Sequence, residues 1–208
     1  MKTDGETKDK LIASAKAEFT EKGYTKASLR KICADAGVTT GALYFFFKDK
    51  EDLFAAIVEA PLQSLLNIML RHFKEDELTI AEFDGVHGND EEHYSFAKSL
   101  VHQLYANYDA FMLLLTRSQG SRFENTVDGM VEMLEKNYGE MAKTIAENNP
   151  DVKINEYMQH WLTHMSIDAF IHLITHEPDE KKAMQHMEQI MQYIIGGWLK
   201  MIIIPNDK

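Results

Sequence analysis

The chain has 208 residues, 45% of them apolar, enough for one large domain or a small domain joined to a medium one, with a substantial core. A formal net charge of -11 argues against nucleic acid as an average, but residues 1–50 carry ten Lys or Arg against seven Asp or Glu, net +3, and the remainder is net -14. The single cysteine, Cys33, excludes an intramolecular disulfide, residues 1–6 hold no apolar signal region, and the apolar run 193–205, interrupted by Lys200, is shorter than the roughly 20 residues that span a bilayer, so a soluble cytoplasmic protein is expected.

Strand signals are nearly absent and helical periodicity is strong throughout, which predicts an all-α fold. The first helix is expected over about residues 7–22, where Leu11, Ile12, Ala15 and Phe19 make one apolar stripe, and Gly23 stops it because glycine tolerates positive φ. Ser28 can cap a second helix by accepting from a free backbone N–H, and Gly37 ends it. Thr39 caps a third helix that runs to about Phe46, and Asp49 caps a long fourth over about residues 50–73. Residues 74–92 are acidic, contain Gly85 and Gly88, and read as a loop with room for one helical turn. Helices are expected again over about 91–108, 109–118, 123–148, 154–176 and 179–203, with breaks at Gly120, Asn148-Asn149-Pro150 and Glu177-Pro178, and Pro205 closing the last.

The last two helices carry too much apolar surface for one side. On the first of them Trp161, Leu162, Met165, Ile167, Phe170, Leu173 and Ile174 cover most of the circumference. On the second, Gly196-Gly197 costs about 1 kcal/mol per glycine relative to alanine, a cost that close approach of a neighbouring backbone would offset. The expectation is a two-fold four-helix interface between two copies, with Phe170, Ile174, Ile190, Ile194, Gly197 and Trp198 in it.

Residues 28–50 have the layout of a DNA-reading helix-turn-helix: a short helix, a tight turn at Gly37, and a second short helix opening on two threonines. Threonine hydroxyls can bond phosphate or base edges, and their methyls can meet thymine methyls. Gly41 lets backbone approach closely, Tyr44 and Phe45 offer rings, Lys48 and Lys50 offer point charges to phosphate, and Ser28 stands at a helix N-terminus. The DNA-binding set read from this segment is therefore Ser28, Thr39, Thr40, Gly41, Tyr44, Phe45, Lys48 and Lys50, while Leu29, Ile32, Cys33, Val38, Leu43 and Phe47 form its small core. With Ile12, Ala15, Phe19, Gly23-Tyr24, Ile32, Ala36-Gly37-Val38, Gly41, Leu43-Tyr44, Phe47, Lys50 and Leu53 in order and without gaps, residues of about 8–54 resemble the N-terminal domain of TetR-family transcriptional regulators. The resemblance implies an all-helical homodimer that binds a palindromic operator on double-stranded DNA, represses, and releases DNA when a small molecule occupies the C-terminal domain. One departure stands out: many family members carry tyrosine and histidine where this chain has Phe45 and Phe46, so a common phosphate anchor is missing.

The expected division is a DNA-binding domain over 1–50 and a helical ligand-binding and dimerisation domain over 51–208. The latter is rich in methionine and aromatic residues, which adapt to varied apolar ligands. The candidate effector residues are Tyr105, Tyr108, Phe111, Met112, Leu115, Arg117, Met133 and Trp161, with a small, largely apolar ligand. Two histidine pairs at i, i+4, His160/His164 and His172/His176, can each chelate a divalent ion given further ligands, so a helical-bundle metal sensor is an alternative, as is a helical adaptor that binds no DNA. No metal site and no cofactor is assigned. Enzyme chemistry on a helical bundle would call for Glu-x-x-His pairs, whereas Asp90 precedes His93 and Tyr157 precedes His160; no nucleophile motif or phosphate loop is found either, so an enzyme is not expected.

Overall fold

Short-range chemistry at the chain's own caps sets several of the helix ends in the structure, a computed structural model that describes the backbone of residues 4–80 and 90–206 and, within these, the side chains of all but residues 76–80, 90, 195, 196, 198 and 199. Trp198, placed in the expected interface, has its side chain outside the described residues. The helices are α1 (Asp4–Lys26), α2 (Leu29–Ala36), α3 (Thr40–Phe46), α4 (Lys50–Ile80), α5 (Asp90–Ala106), α6 (Tyr108–Arg117), α7 (Thr126–Asn148), α8 (Glu156–His176) and α9 (Glu180–Ile202), with two short strands, β1 (Val152–Ile154) and β2 (Ile203–Pro205). Among the described residues the fold is all-α apart from that strand pair.

α1 is regular as far as Gly23, whose φ of 72° and ψ of 164° break it before a last turn to Lys26. At α4 the Asp52 amide donates to Asp49 Oδ1 at 2.8 Å and the Lys48 amide donates to Asp52 Oδ2 at 3.0 Å, a reciprocal cap that fixes where the long helix begins. The expected loop from residue 74 is corrected in part. α4 continues to Ile80, because Lys74, Glu75, Glu77 and Leu78 are good helix formers even where the apolar period lapses. The rest of that loop, 81–89, lies outside the described residues.

The chain forms two compact units: residues up to Ser64 together with Asn107–Thr126, and Leu65–Ala106 together with Val127–Lys208. This grouping differs from a boundary at residue 50, since the first unit takes in the start of α4 and all of α6. Its core holds Leu11, Ala15, Phe19, Ile32, Leu43, Phe47, Leu53, Phe54 and, from α6, Phe111, Leu113 and Leu114. Phe19, Tyr24, Phe54 and Phe123 build an aromatic cluster with centroids 5.0 to 6.0 Å apart along its chain of contacts. Gly120 turns the segment after α6 at φ 87°, where a Cβ would stand 2.6 Å from Thr25 Oγ1, so only glycine fits.

In the second unit α5, α8 and α9 share a core of Ala97, Val101, Leu173, Ala183, Met187 and Met191. Phe170, Ile190 and Ile194 pack against that core while half-buried, and Ile174 is 1% exposed. β1 and β2 pair antiparallel in the register Val152 with Pro205, Lys153 with Ile204 and Ile154 with Ile203. The expected helix over 179–203 therefore stops at Ile202, and the start of the one over 154–176 shifts to Glu156. Both ends carry β-branched residues, and the Asn155 amide donates to Ile202 O at 2.7 Å while the Asn206 amide donates to Asp151 O at 2.8 Å. Within α4, residues 50–75 contain an 18-residue window of mean hydropathy 1.6, long and apolar enough to cross a membrane by composition. Leu53, Phe54, Ile57 and Val58 are nevertheless buried, as are Leu65, Met69 and Phe73 further along.

Candidate nucleic-acid interface

Two caps and one left-handed glycine hold the helix-turn-helix. Ser28 Oγ accepts from the Lys31 amide at 3.4 Å, and the Ser28 amide donates to Oε1 of the buried Glu18 at 3.0 Å, so α1 fixes the entry to α2. Gly37 closes α2 at φ 65° and ψ 38°, with the Gly37 amide on Ala34 O at 3.1 Å and the Val38 amide on Cys33 O at 2.9 Å. Thr39 then caps α3, accepting from the Ala42 amide at 3.2 Å. The buried side chains Ile32, Cys33, Ala36, Leu43 and Phe47 set the angle between the two helices. Burial raises the Cys33 thiol's pKa above the usual cysteine range, which keeps it an inert core group.

What this leaves outward on α3 is a continuous face. Thr39, Thr40 and Gly41 are exposed, Tyr44 is 58% exposed and Phe45 74%. Two large aromatic rings so far out of the core cost apolar hydration unless something covers them, and a single-turn-wide stripe of threonine, glycine and aromatic residues suits a groove edge. Phe46 sits at the edge of the core instead, its ring 4.9 Å from Phe45 and 6.4 Å from Phe47. The Phe45-Phe46 departure thus splits into one outward ring and one packing ring. Lys48 is exposed just past α3.

Lys50, expected as a phosphate contact, has partners within the fold. Its ammonium donates to Tyr24 O at 2.7 Å, Thr25 O at 3.2 Å and Ala27 O at 3.4 Å, and lies 4.6 Å from the centre of the Tyr24 ring. Partial burial lowers the Lys50 pKa below that of a free lysine. The residue fastens α4 to the last turn of α1 and to Ala27 just beyond it. Tyr24 is held beside it, donating to Glu51 Oε2 at 2.8 Å; burial first and then that carboxylate push its phenol up to about 12. Glu51 Oε1 also accepts from the Arg122 amide at 3.0 Å. None of these partners is adjacent in sequence, and no spacing rule points to them.

The candidate effector residues fall in both units. Tyr108, Phe111, Met112, Leu115 and Arg117 belong to the first, with Phe111 in its core and Arg117 exposed. Tyr105, Met133 and Trp161 belong to the second; the Tyr105 hydroxyl donates to Glu177 O, and Trp161 is 42% exposed. A different place in the second unit is concave: a cleft of about 310 Å³ between α4 and α5, lined by Ile68, Arg71, His72, Glu75, Glu92, Ser95, Phe96 and Ser99. His72 is 4% exposed and stacks on Phe96 with centroids 3.7 Å apart. Burial, and secondarily His93, push its imidazole down to about 4, so it is neutral at neutral pH. Sequence periodicity placed His72 on a helix but gave no sign of its burial.

A capped, glycine-turned pair of short helices with an exposed face on the second defines a helix-turn-helix, the layout of a DNA-reading head. Within this head, residues 11–57 match the family model described as bacterial regulatory proteins, tetR family. The transcriptional repressor BepR of Brucella suis biovar 1 is 42% identical over 53 residues, 26% of this chain and 25% of that protein. The regulator AcrR of Shigella flexneri is 36% identical over 78 residues, 36% of each. The matched stretches thus span only about a quarter to a third of these curated relatives. Over the whole chain the likeness is one of fold. The TetR-family regulator PfmR of Thermus thermophilus has a TM-score of 0.59 at 19% identity, covering 88% of this chain and 98% of that one. SmeT, the repressor of the Stenotrophomonas maltophilia efflux pump SmeDEF, has a TM-score of 0.56 at 15% identity, covering 96% and 93%.

Proposed function

We propose that the chain is a cytoplasmic, homodimeric transcriptional repressor that holds a palindromic operator with α3 and lets go when a small molecule occupies its second unit. The observation that carries this reading is the outward face of α3, with Thr39, Thr40, Gly41, Tyr44 and Phe45 exposed on a helix whose other side is fixed in the core. The +3 balance of residues 1–50 against the acidic remainder supports it, because it turns one end of an otherwise acidic protein toward phosphate. Ser28 and Lys48 extend the contact surface at its edges.

The effector seat we favour is the cleft between α4 and α5, since α4 is continuous from Lys50 at the head to His72 and Glu75 in that cleft. Its lining of Arg71, His72, Glu75, Glu92 and two serines beside Ile68 and Phe96 suits an amphipathic molecule better than a wholly apolar one. Two copies would join through α8 and α9, where Tyr193 is exposed and Phe170, Ile190 and Ile194 are only half-buried. The deciding experiment is an electrophoretic shift with the DNA upstream of the protein's own gene. A salt-dependent shift confined to DNA carrying the palindrome is expected; no shift at low salt, with a partner protein bound instead, would replace a repressor by a helical adaptor.

A further inference from the structure

Histidines four residues apart on a helix face the same way, and α8 carries two such pairs. In the pair His172/His176 the rings stack with centroids 4.0 Å apart, and His176 Nδ1 lies 2.9 Å from His172 O and 2.9 Å from Thr175 Oγ1. Among the described residues no third His, Cys, Asp or Glu completes a cluster with them. The pair His160/His164 is different. Glu135 reaches it from α7: its Oε1 is hydrogen-bonded to His160 Nδ1 and lies 4.0 Å from His164 Nε2, while the two imidazole centroids are 4.6 Å apart.

We infer that Glu135, His160 and His164 form a binding site for a divalent first-row transition ion, bridging α7 and α8. The three ligand atoms lie within 4.8 Å of one another. A tetrahedral ion with bonds of about 2.0–2.2 Å holds its ligands about 3.3–3.6 Å apart, so small side-chain rotations close the set. Two imidazoles and one carboxylate select zinc, cobalt, nickel or copper over magnesium and calcium, which prefer oxygen alone. Both histidines are exposed, so an ion can enter from solvent and keep water in its remaining positions. Binding would replace the hydrogen bond between His160 and Glu135 by bonds to the ion. A second cluster, His72 with Glu75 and Glu92, has comparable spacing, but the guanidinium-bearing Arg71 lines the same cleft, and a cation already supplied there disfavours an ion.

The test uses tag-free, chelator-stripped protein titrated with cobalt(II), followed by its visible absorption and by fluorescence of Trp161, which adjoins His160. One cobalt per chain, displaced by zinc, is expected. Glu135→Gln and His164→Gln should each weaken binding by at least the 10- to 100-fold typical of losing even an outer-shell partner, with an unchanged far-ultraviolet spectrum. His172→Gln/His176→Gln should bind as the parent does. Failure to bind stoichiometrically, parent-like affinity in Glu135→Gln and His164→Gln, or loss on changing His172 and His176 would each overturn the site. DNA plays no part in the assay, so its outcome is independent of the operator reading.

Discussion

Lys50 shows how a single side chain can change the account of a surface. Beside α3, its ammonium is held by three backbone carbonyls 23 to 26 residues earlier. Lys50→Met keeps the stem and removes the charge, leaving those carbonyls to find water. The expected loss is about 1.5–3 kcal/mol of stability, the worth of hydrogen bonds to a charged group, read as a lower urea midpoint. A variant that melts like the parent and loses only DNA affinity would return Lys50 to the phosphate. His72 yields a prediction in pH. The unfolded chain takes up this proton near pH 6.5, the folded chain only near pH 4, so acid favours unfolding. The stability is fully present above 6.5, drains as the pH falls toward 4, and is gone below it. His72→Phe, which can keep the stack on Phe96, should remove this component, and its urea midpoint should fall less than the parent's across that window.

α3 is short, and apart from its cap Thr39 its stability and its proposed function separate by residue. Thr39 caps it and is also exposed, so Thr39→Ala should cost about 1 kcal/mol of stability as well as DNA affinity. Tyr44→Ala and Phe45→Ala remove rings that touch little of the core, so the melting temperature should stay within about a degree or two of the parent's (surface changes fall within about 0.5 kcal/mol) while operator affinity drops. If both variants bind DNA unchanged, α3 is not the reading helix. These caps were legible in the sequence because a Ser, Thr or Asp and the amide it accepts lie three residues apart, as at Ser28, Thr39 and Asp49. The glycine stops at 23 and 37 were legible for the same local reason. The strand pair was not, since three residues carry no period and β1 and β2 lie some fifty residues apart. Glu135 escaped notice likewise: its carboxylate gains meaning only when α7 lies beside α8. The α3 surface was therefore legible almost residue for residue, and the contacts made across the fold were not.

In the proposed mechanism a small molecule in one unit alters DNA held by the other. α4 passes from the first unit into the second between Ser64 and Leu65, and Pro61 lies just before that point. Proline removes the helical hydrogen bond to the carbonyl of Ile57 and costs an interior helix about 3 kcal/mol relative to alanine. A helix that tolerates such a residue near the junction has a natural place to bend. If the effector favours a dimer whose two α3 helices no longer match successive major grooves, about 34 Å apart, then affinity should change some 5- to 150-fold, for a coupling of about 1–3 kcal/mol. Pro61→Ala should restore the missing amide, raise the melting temperature and narrow that ratio, because a continuous α4 resists the second conformation. The comparison must be made at one ionic strength: with 6–10 phosphate contacts per dimer, operator affinity falls about 10³- to 10⁵-fold between 50 and 200 mM salt, more than the coupling itself. Parent and Pro61→Ala dimers titrated with operator, with and without a releasing ligand, give the ratio directly. An unchanged ratio in a stiffened, more stable Pro61→Ala protein would mean that the signal does not travel by bending α4.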